Sequence, residues 1–203
     1  MKPARPPLTP LTPRAAQIVD VGRLILEEQG PGSLTMRTIA QRLGIRAPSL
    51  YKHLPDKQAL EAALIERGLA EMGDTLYDAL ETAEEDGTDR GAIRRISALL
   101  AAYRDHARAH PNMYRLGTAG RLPRERLAPG LEEWAGTPFF LAVGDPYRAQ
   151  ALWSFAHGLV ILELDARLPA DSDVSRTWAE GAAAFAVSSV SSPPRAEHRD
   201  GAR

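Results

Sequence analysis

Apolar residues recur along this chain at helical intervals and almost nowhere in alternation. From Arg14 to Gln29 they fall at Ala15, Ile18, Val19, Val21, Gly22, Leu24, Ile25 and Leu26, and the run stops at Gly30-Pro31-Gly32. Thr35 is placed to cap a short helix reaching Arg42, with Ile39, Ala40 and Leu43 turned inward. Gly44 supplies a tight turn, because positive φ is cheap only for glycine. Ile45 follows as a buried plug, then a short helix from Arg46 or Ala47 to His53. Asp56, with Pro55 before it, caps a fourth helix to about Glu84, carrying Leu60, Leu64, Leu69, Met72, Leu76 and Leu80 on one face. A fifth covers Arg90 to His110, where Pro111 ends it. Prolines at 123, 129 and 138 make 112–144 read as shorter helices and loops. Pro146 opens a strongly apolar helix to about Arg167, and a last one spans roughly Val174 to Val190. This is the pattern of an all-α protein. Five prolines in residues 1–13 predict a flexible arm, and 191–203 read as a flexible tail. Between them the pattern divides into a small helical head over 14–58 and a larger helical body over 59–190.

The two short helices joined at Gly44 differ from the rest, since the second is polar, basic and tipped with Tyr51, Lys52 and His53. Such a helix suits the major groove of DNA while its partner braces it from behind. Arg37 can reach a guanine edge with two parallel hydrogen bonds. The Thr35 hydroxyl, with backbone amides at Met36 and beyond, suits a phosphate. Pro48 is tolerated in a first turn, whose amides lack intrahelical acceptors. Ala47 and Pro48 can meet thymine methyls, and Ser49 a base or a phosphate. Lys52 can read guanine or hold a phosphate, and Arg46 can add a further contact. Ile39, Leu43, Ile45, Leu50 and Leu54 read as core that fixes the angle between the helices.

The run L-T-M-R-T-I-A-Q-R-L-G-I-R-A-P-S-L-Y-K-H-L-P-D-K-Q-A-L resembles the DNA-binding domain of tetracycline-repressor-type (TetR/AcrR) regulators. That resemblance covers about the first 65 residues closely. It implies an all-helical homodimer, with a three-helix head on a larger ligand-binding body. Tyr51, His53 and Lys57 match family positions that grip phosphates, and Arg37 one that reads guanine; Tyr51 can alternatively close the head's own core. Arg46 departs from the short polar cap residue common at its position. Trp153, His157 and Gly158 form a W-x-x-x-H-G string that resembles the C-terminal domain of one subgroup. The implied mechanism is repression at a palindromic operator, relieved by a small molecule; activation, or architectural DNA binding without an effector, are the alternatives.

Charge adds an asymmetry. Residues 1–60 carry nine basic residues (Lys2, Arg5, Arg14, Arg23, Arg37, Arg42, Arg46, Lys52, Lys57) against four acids (Asp20, Glu27, Glu28, Asp56), leaving −6 for the rest of a chain whose net charge is −1. One end facing phosphate explains such a split, and a uniformly basic architectural protein does not. Hydrophobic content of 44% excludes general disorder. The absence of cysteine excludes disulfides and thiolate metal sites. Residues 1–13 have no apolar core of a signal peptide, and no apolar run reaches the length of a membrane span, so a cytoplasmic protein is expected.

In the body, residues 147–164 are apolar around nearly the whole circumference, so one face serves the protomer and the other implies a second copy. The alanine-rich last helix suits the same intersubunit bundle. Candidate effector contacts are Tyr103, His106, Met113, Tyr114, Trp134, Phe139, Phe140, Trp153 and His157. His157, mid-helix in apolar surroundings, needs a hydrogen-bond partner, either a ligand or a neighbour at the dimer interface. His106 and His110 have the spacing of a helical metal pair but no third ligand in the motif, so no metal or cofactor is expected. No nucleotide-binding, serine-hydrolase or zinc-protease motif occurs, and Ser154, three residues from His157, lacks a nucleophile elbow; the chain does not read as an enzyme.

Overall fold

Most α-helix starts in this chain are set by side-chain caps. Thr12, Thr35, Asp56, Thr88 and Asp145 each accept a hydrogen bond from the amide three residues on, at 3.2, 3.1, 2.7, 3.1 and 2.8 Å. The computed structural model describes residues 2–83 and 87–186, and every regular element among them is helical. The α-helices are α1 (Pro13–Gln29), α2 (Met36–Arg42), α3 (Ala47–Leu50), α4 (Lys57–Thr82), α5 (Asp89–Ala109), α6 (Pro111–Thr118), α7 (Leu131–Val143), α8 (Pro146–Leu164) and α9 (Val174–Ala186). The last helix was expected to reach Val190; its final residues, the 191–203 tail and the acidic loop Glu84–Asp86 lie outside the described residues.

Prolines set several of the element boundaries, two of them not as the sequence reads. Pro111 ends α5 but also opens α6, as a first-turn residue with no amide to satisfy. Pro138 lies inside α7, where a break was expected. It cannot donate to the Trp134 carbonyl four residues back, and the Tyr77 hydroxyl of α4 fills that acceptor instead, at 3.1 Å. Pro55 acts as a terminator: α3 is regular only over Ala47–Leu50, and residues 51–53 follow as turns. The helix expected to run to His53 is thus shortened, with no side-chain cap at Arg46 and with Leu54 biased out of helical geometry by the following proline.

Hydrophobic clusters are strung along α4, whose 26 residues span about 39 Å. Leu60 and Leu64 join Ile18, Ile25, Leu26, Ile39 and Leu50 in the head. Leu76 and Leu80 join Ile96, Leu99, Leu152, Val160 and Trp178 in the body. A third cluster packs Tyr77 with Trp134 and Leu131 of α7. Two glycines permit the closest contacts. A Cβ at Gly73 would lie 2.3 Å from the Trp134 ring, and one at Gly181 2.2 Å from Phe155.

The N-terminal arm has no helix, as its prolines dictate, and its residues lie along α4. The Lys2 ammonium lies 3.0 Å from Asp74 and 2.8 Å from Asp78, and Arg5 lies 2.6 Å from Asp74. The Trp134 indole donates to the Pro3 carbonyl at 3.2 Å. Thr9 donates twice to Glu66, from its amide at 3.0 Å and its hydroxyl at 2.7 Å. Glu66 is only 3% exposed, and the Ala128 amide is its third donor at 2.6 Å.

Candidate DNA-binding face and cavity

The helix-turn-helix is closed by backbone geometry. Gly44 has φ +65°, so the chain reverses between α2 and α3, and the Ile45 amide returns to the Ala40 carbonyl at 3.0 Å. Ile39 and Leu50 are fully buried beneath the turn. Thr35, Arg37, Arg46, Pro48, Ser49, Tyr51, Lys52, His53 and Lys57 are exposed together, with Ala47 half-buried. Tyr51, at 51% exposure, does not close the head's core. Met36 belongs there instead. Its side chain is buried among head residues, leaving only its backbone for an outside partner.

Ion pairing sorts the basic residues of the head. Lys2 and Arg5 bind α4 acids, Arg23 grips Glu71 with both terminal nitrogens, Arg42 meets Glu28 at 2.8 Å and Lys57 meets Glu61 at 3.0 Å. Arg14 is hydrogen-bonded to Gln17. Among the described residues up to 60, the cations left without a polar partner are Arg37, Arg46 and Lys52. All three stand on the exposed face of the helix-turn-helix. The sequence asymmetry therefore narrows to three free charges in one place, while the arm's two cations sit on the body.

A cavity of about 540 Å³ opens among α4, α5, α6, α7 and α8. Of the sequence candidates, Tyr103, His106, Met113, Tyr114, Phe139, Trp153 and His157 line it. Trp134 does not. It is packed against Tyr77 and the face left bare by Gly73, with its indole N–H already donated to the arm. Phe140, one residue beyond the buried Phe139 on α7, does not line it and is 44% exposed. The sequence reading missed Met72, Glu71 and the glycines 68, 117 and 136. Glycines inside helices were the available signal: a Cβ at Gly117 or Gly136 would meet nothing within 4 Å, so the cavity runs to the backbone there.

Polar groups on the cavity wall form a relay. The Tyr103 and Tyr114 hydroxyls are 2.8 Å apart, and Tyr114 lies 2.7 Å from His157 Nδ1. The Trp153 ring stacks on His157 at 5.8 Å between centroids. His157 thus has the partner its burial demands. Burial pushes the Tyr103 hydroxyl up to about 12, against the opposing effect of hydrogen bonds from Tyr114 and Trp153. Burial raises Tyr114 further, reinforced by its proximity to Tyr103. Burial lowers His157, and lowers His106 with help from neighbouring His110, so both imidazoles are held toward their neutral forms. No group of three metal-ligating side chains occurs among the described residues. No helix among them is long and apolar enough to cross a membrane.

Three polar joints connect cavity to head. Glu27 of α1 supplies α6 with the cap it lacks, accepting from the Asn112 amide at 3.3 Å and the Met113 amide at 2.9 Å. Arg23 of α1 holds Glu71 on the cavity wall. Arg126, beyond the cavity-lining loop residues Arg121, Leu122 and Arg124, spans both oxygens of Asp56 at 3.1 and 3.3 Å. No sequence signal links Arg126 to a residue 70 positions earlier.

Comparison with known proteins agrees with this layout. Residues 18–64 match the family "Bacterial regulatory proteins, tetR family", and residues 96–185 match "Tetracyclin repressor-like, C-terminal domain". An uncharacterized HTH-type transcriptional regulator of Bacillus subtilis (strain 168) is 30% identical over 97 residues, 48% of this chain and 47% of that protein. The Tetracycline repressor protein class A from transposon 1721 of Escherichia coli is 40% identical over 88 residues, 42% of this chain and 39% of the relative. These matches span less than half the length of either relative. A solved structure of a protein with unknown function from Rhodococcus sp. RHA1 shares the fold, with TM-score 0.69 and 22% identity over 85% of this chain and 93% of the other.

Proposed function

Since this chain belongs to the TetR family of DNA-binding transcriptional regulators, we propose that it acts as a homodimeric repressor of a palindromic operator, released by a small molecule in the α4–α8 cavity. The observation that carries the DNA side is the grouping of Arg37, Arg46 and Lys52, unpaired and exposed on the helix-turn-helix. Arg37 and Lys52 serve base edges or phosphates, and Tyr51, His53, Ser49 and Lys57 fix register on the backbone. Thr35 and the Met36 amide add a phosphate contact, while Ala47 and Pro48 face thymine methyls. The head spans residues 14–58 and the regulatory body 59–190.

Dimerisation is supported by the outer face of α8. Tyr147, Ala151, Ser154, Gly158 and Leu162 are exposed along one stripe, with nothing within 4 Å of a Cβ at Gly158. Two heads held on such a dimer double the contacts and impose a two-fold symmetric site. Effector control is supported by the joints at Glu27, Arg23 and Arg126, each tying a cavity element to the head. A ligand preferring the released head spacing by about 5 kcal/mol moves a population from mostly bound to mostly free.

The test is selection of binding sites from random duplex DNA with the full chain, followed by a salt titration on the enriched sequence. An inverted repeat with half-sites about one DNA turn apart is the expected result. Equal affinity for any duplex would replace this reading with architectural binding.

A further inference from the structure

The ionic groups on the cavity wall are unevenly matched, and that imbalance points to the chemical class of the effector. The inference rests on the cavity being the effector site. Two carboxylates reach the wall, and both are engaged. Glu71 is held by both terminal nitrogens of Arg23, and Glu132 by Arg124 Nε and Nη2, each at 2.6 Å. Arg121, on the loop at the mouth, is the ionic wall residue with no polar partner among the described residues. The other polar wall groups, Gln150 among them, carry no charge: the Tyr103 and Tyr114 hydroxyls and His157 Nδ1 form one hydrogen-bonded chain, and the Thr118 hydroxyl is donated to the Tyr114 carbonyl at 2.8 Å. His106 and His157 are both held toward the neutral imidazole by burial.

A cation entering this space finds no free carboxylate, and freeing one means breaking a two-point arginine contact. An uncharged guest finds apolar walls and the polar groups of Gln150, His106 and His157 Nε2, but nothing that uses the charge at the mouth. An anion attached to an apolar body finds more, because its charge can stay hydrated at the mouth beside Arg121 while the body enters. The shape of that body follows from the walls. Gly117 and Gly136 give α6 and α7 bare backbone toward the cavity, Gly68 of α4 lies under the Met113 methyl, and Tyr103, Tyr114 and Phe139 offer ring faces and edges. We propose that the effector is a flat aromatic molecule bearing one carboxylate or sulfonate, rings inward among these walls and anionic group at Arg121.

The test uses three fluorescent probes on the full chain without DNA: anilinonaphthalene sulfonate, phenylnaphthylamine (the same rings without the sulfonate) and acridine orange, a cation. The sulfonate binds tighter than phenylnaphthylamine by about fivefold, the scale of one exposed charge contact. R121A brings the sulfonate down to the neutral probe's level. G136L and, independently, G117L fill the cavity and abolish binding of both. Equal affinity for the sulfonate and its neutral analogue, tighter binding of acridine orange, or no sulfonate binding at all would overturn the anionic class while sparing the cavity. Sulfonate binding that survives in both glycine variants would overturn the cavity itself as the site.

Discussion

Single residues separate two kinds of contact with DNA. Arg37→Ala removes a two-point base contact and is expected to weaken operator binding by about 1–3 kcal/mol and relax preference at one base pair. Lys52→Ala, if Lys52 holds a phosphate, weakens all duplexes alike and lowers the salt slope by about one; fluorescence anisotropy across a salt series distinguishes the two. Arg126 acts indirectly. The Ala59 amide, aided by Arg126, holds the Asp56 carboxyl below its usual range, so it stays ionised beside Lys57. Arg126→Ala leaves that carboxylate unbalanced next to the phosphate-facing side, and operator affinity should fall about threefold, more at low salt than at high. The buried imidazoles give a pH signature. His106 and His157 have lowered folded values, so below the unfolded value of about 6.5 the unfolded chain binds more protons. Their stabilising contribution is therefore complete above that value and lost as pH falls through the lowered folded ones. Thermal midpoints should drop from pH 7 toward 5, and His106→Gln should flatten the drop.

At the scale of elements, the same substitution has opposite signs at two glycines. Gly73→Ala drives a methyl into the Trp134 ring and should destabilise by about 1–3 kcal/mol. Gly136→Ala meets nothing, and gains helix propensity of up to about 1 kcal/mol; urea denaturation reads both. This contrast also marks what the sequence discloses. The helix-turn-helix was legible because its information is local: Thr35, Gly44 and Pro55 fix the backbone, and Ile39 and Leu50 fix the packing, within some twenty residues. The cavity was legible only in part, because five helices build it. Tyr103 and Trp134 look alike as aromatics on helices, and only the bare face at Gly73 decides that Trp134 turns to α4 and the arm. Pro138 read as a break because the hydroxyl that replaces its missing amide comes from Tyr77, 61 positions away in the chain.

For the whole molecule, the exposed stripe on α8 governs assembly. Gly158→Arg places a long charged side chain where a second copy's helix must approach, and should yield monomers by sedimentation with unchanged helical circular dichroism. Operator affinity should collapse with the loss of the paired half-site.

The course of the arm changes what kind of machine the head and body make. The chain begins fastened to α4 at Lys2, Arg5 and Thr9, enters the head through α1, and returns along α4. The head is therefore inserted between two stretches of body-bound chain. It is tethered at both ends of its chain, in addition to the side-chain joints at Glu27, Arg23 and Arg126. Trimming the first ten residues, as their prolines invite, would release one tether. It would also strip Glu66 of both Thr9 donors and leave a buried carboxylate facing only Ala128.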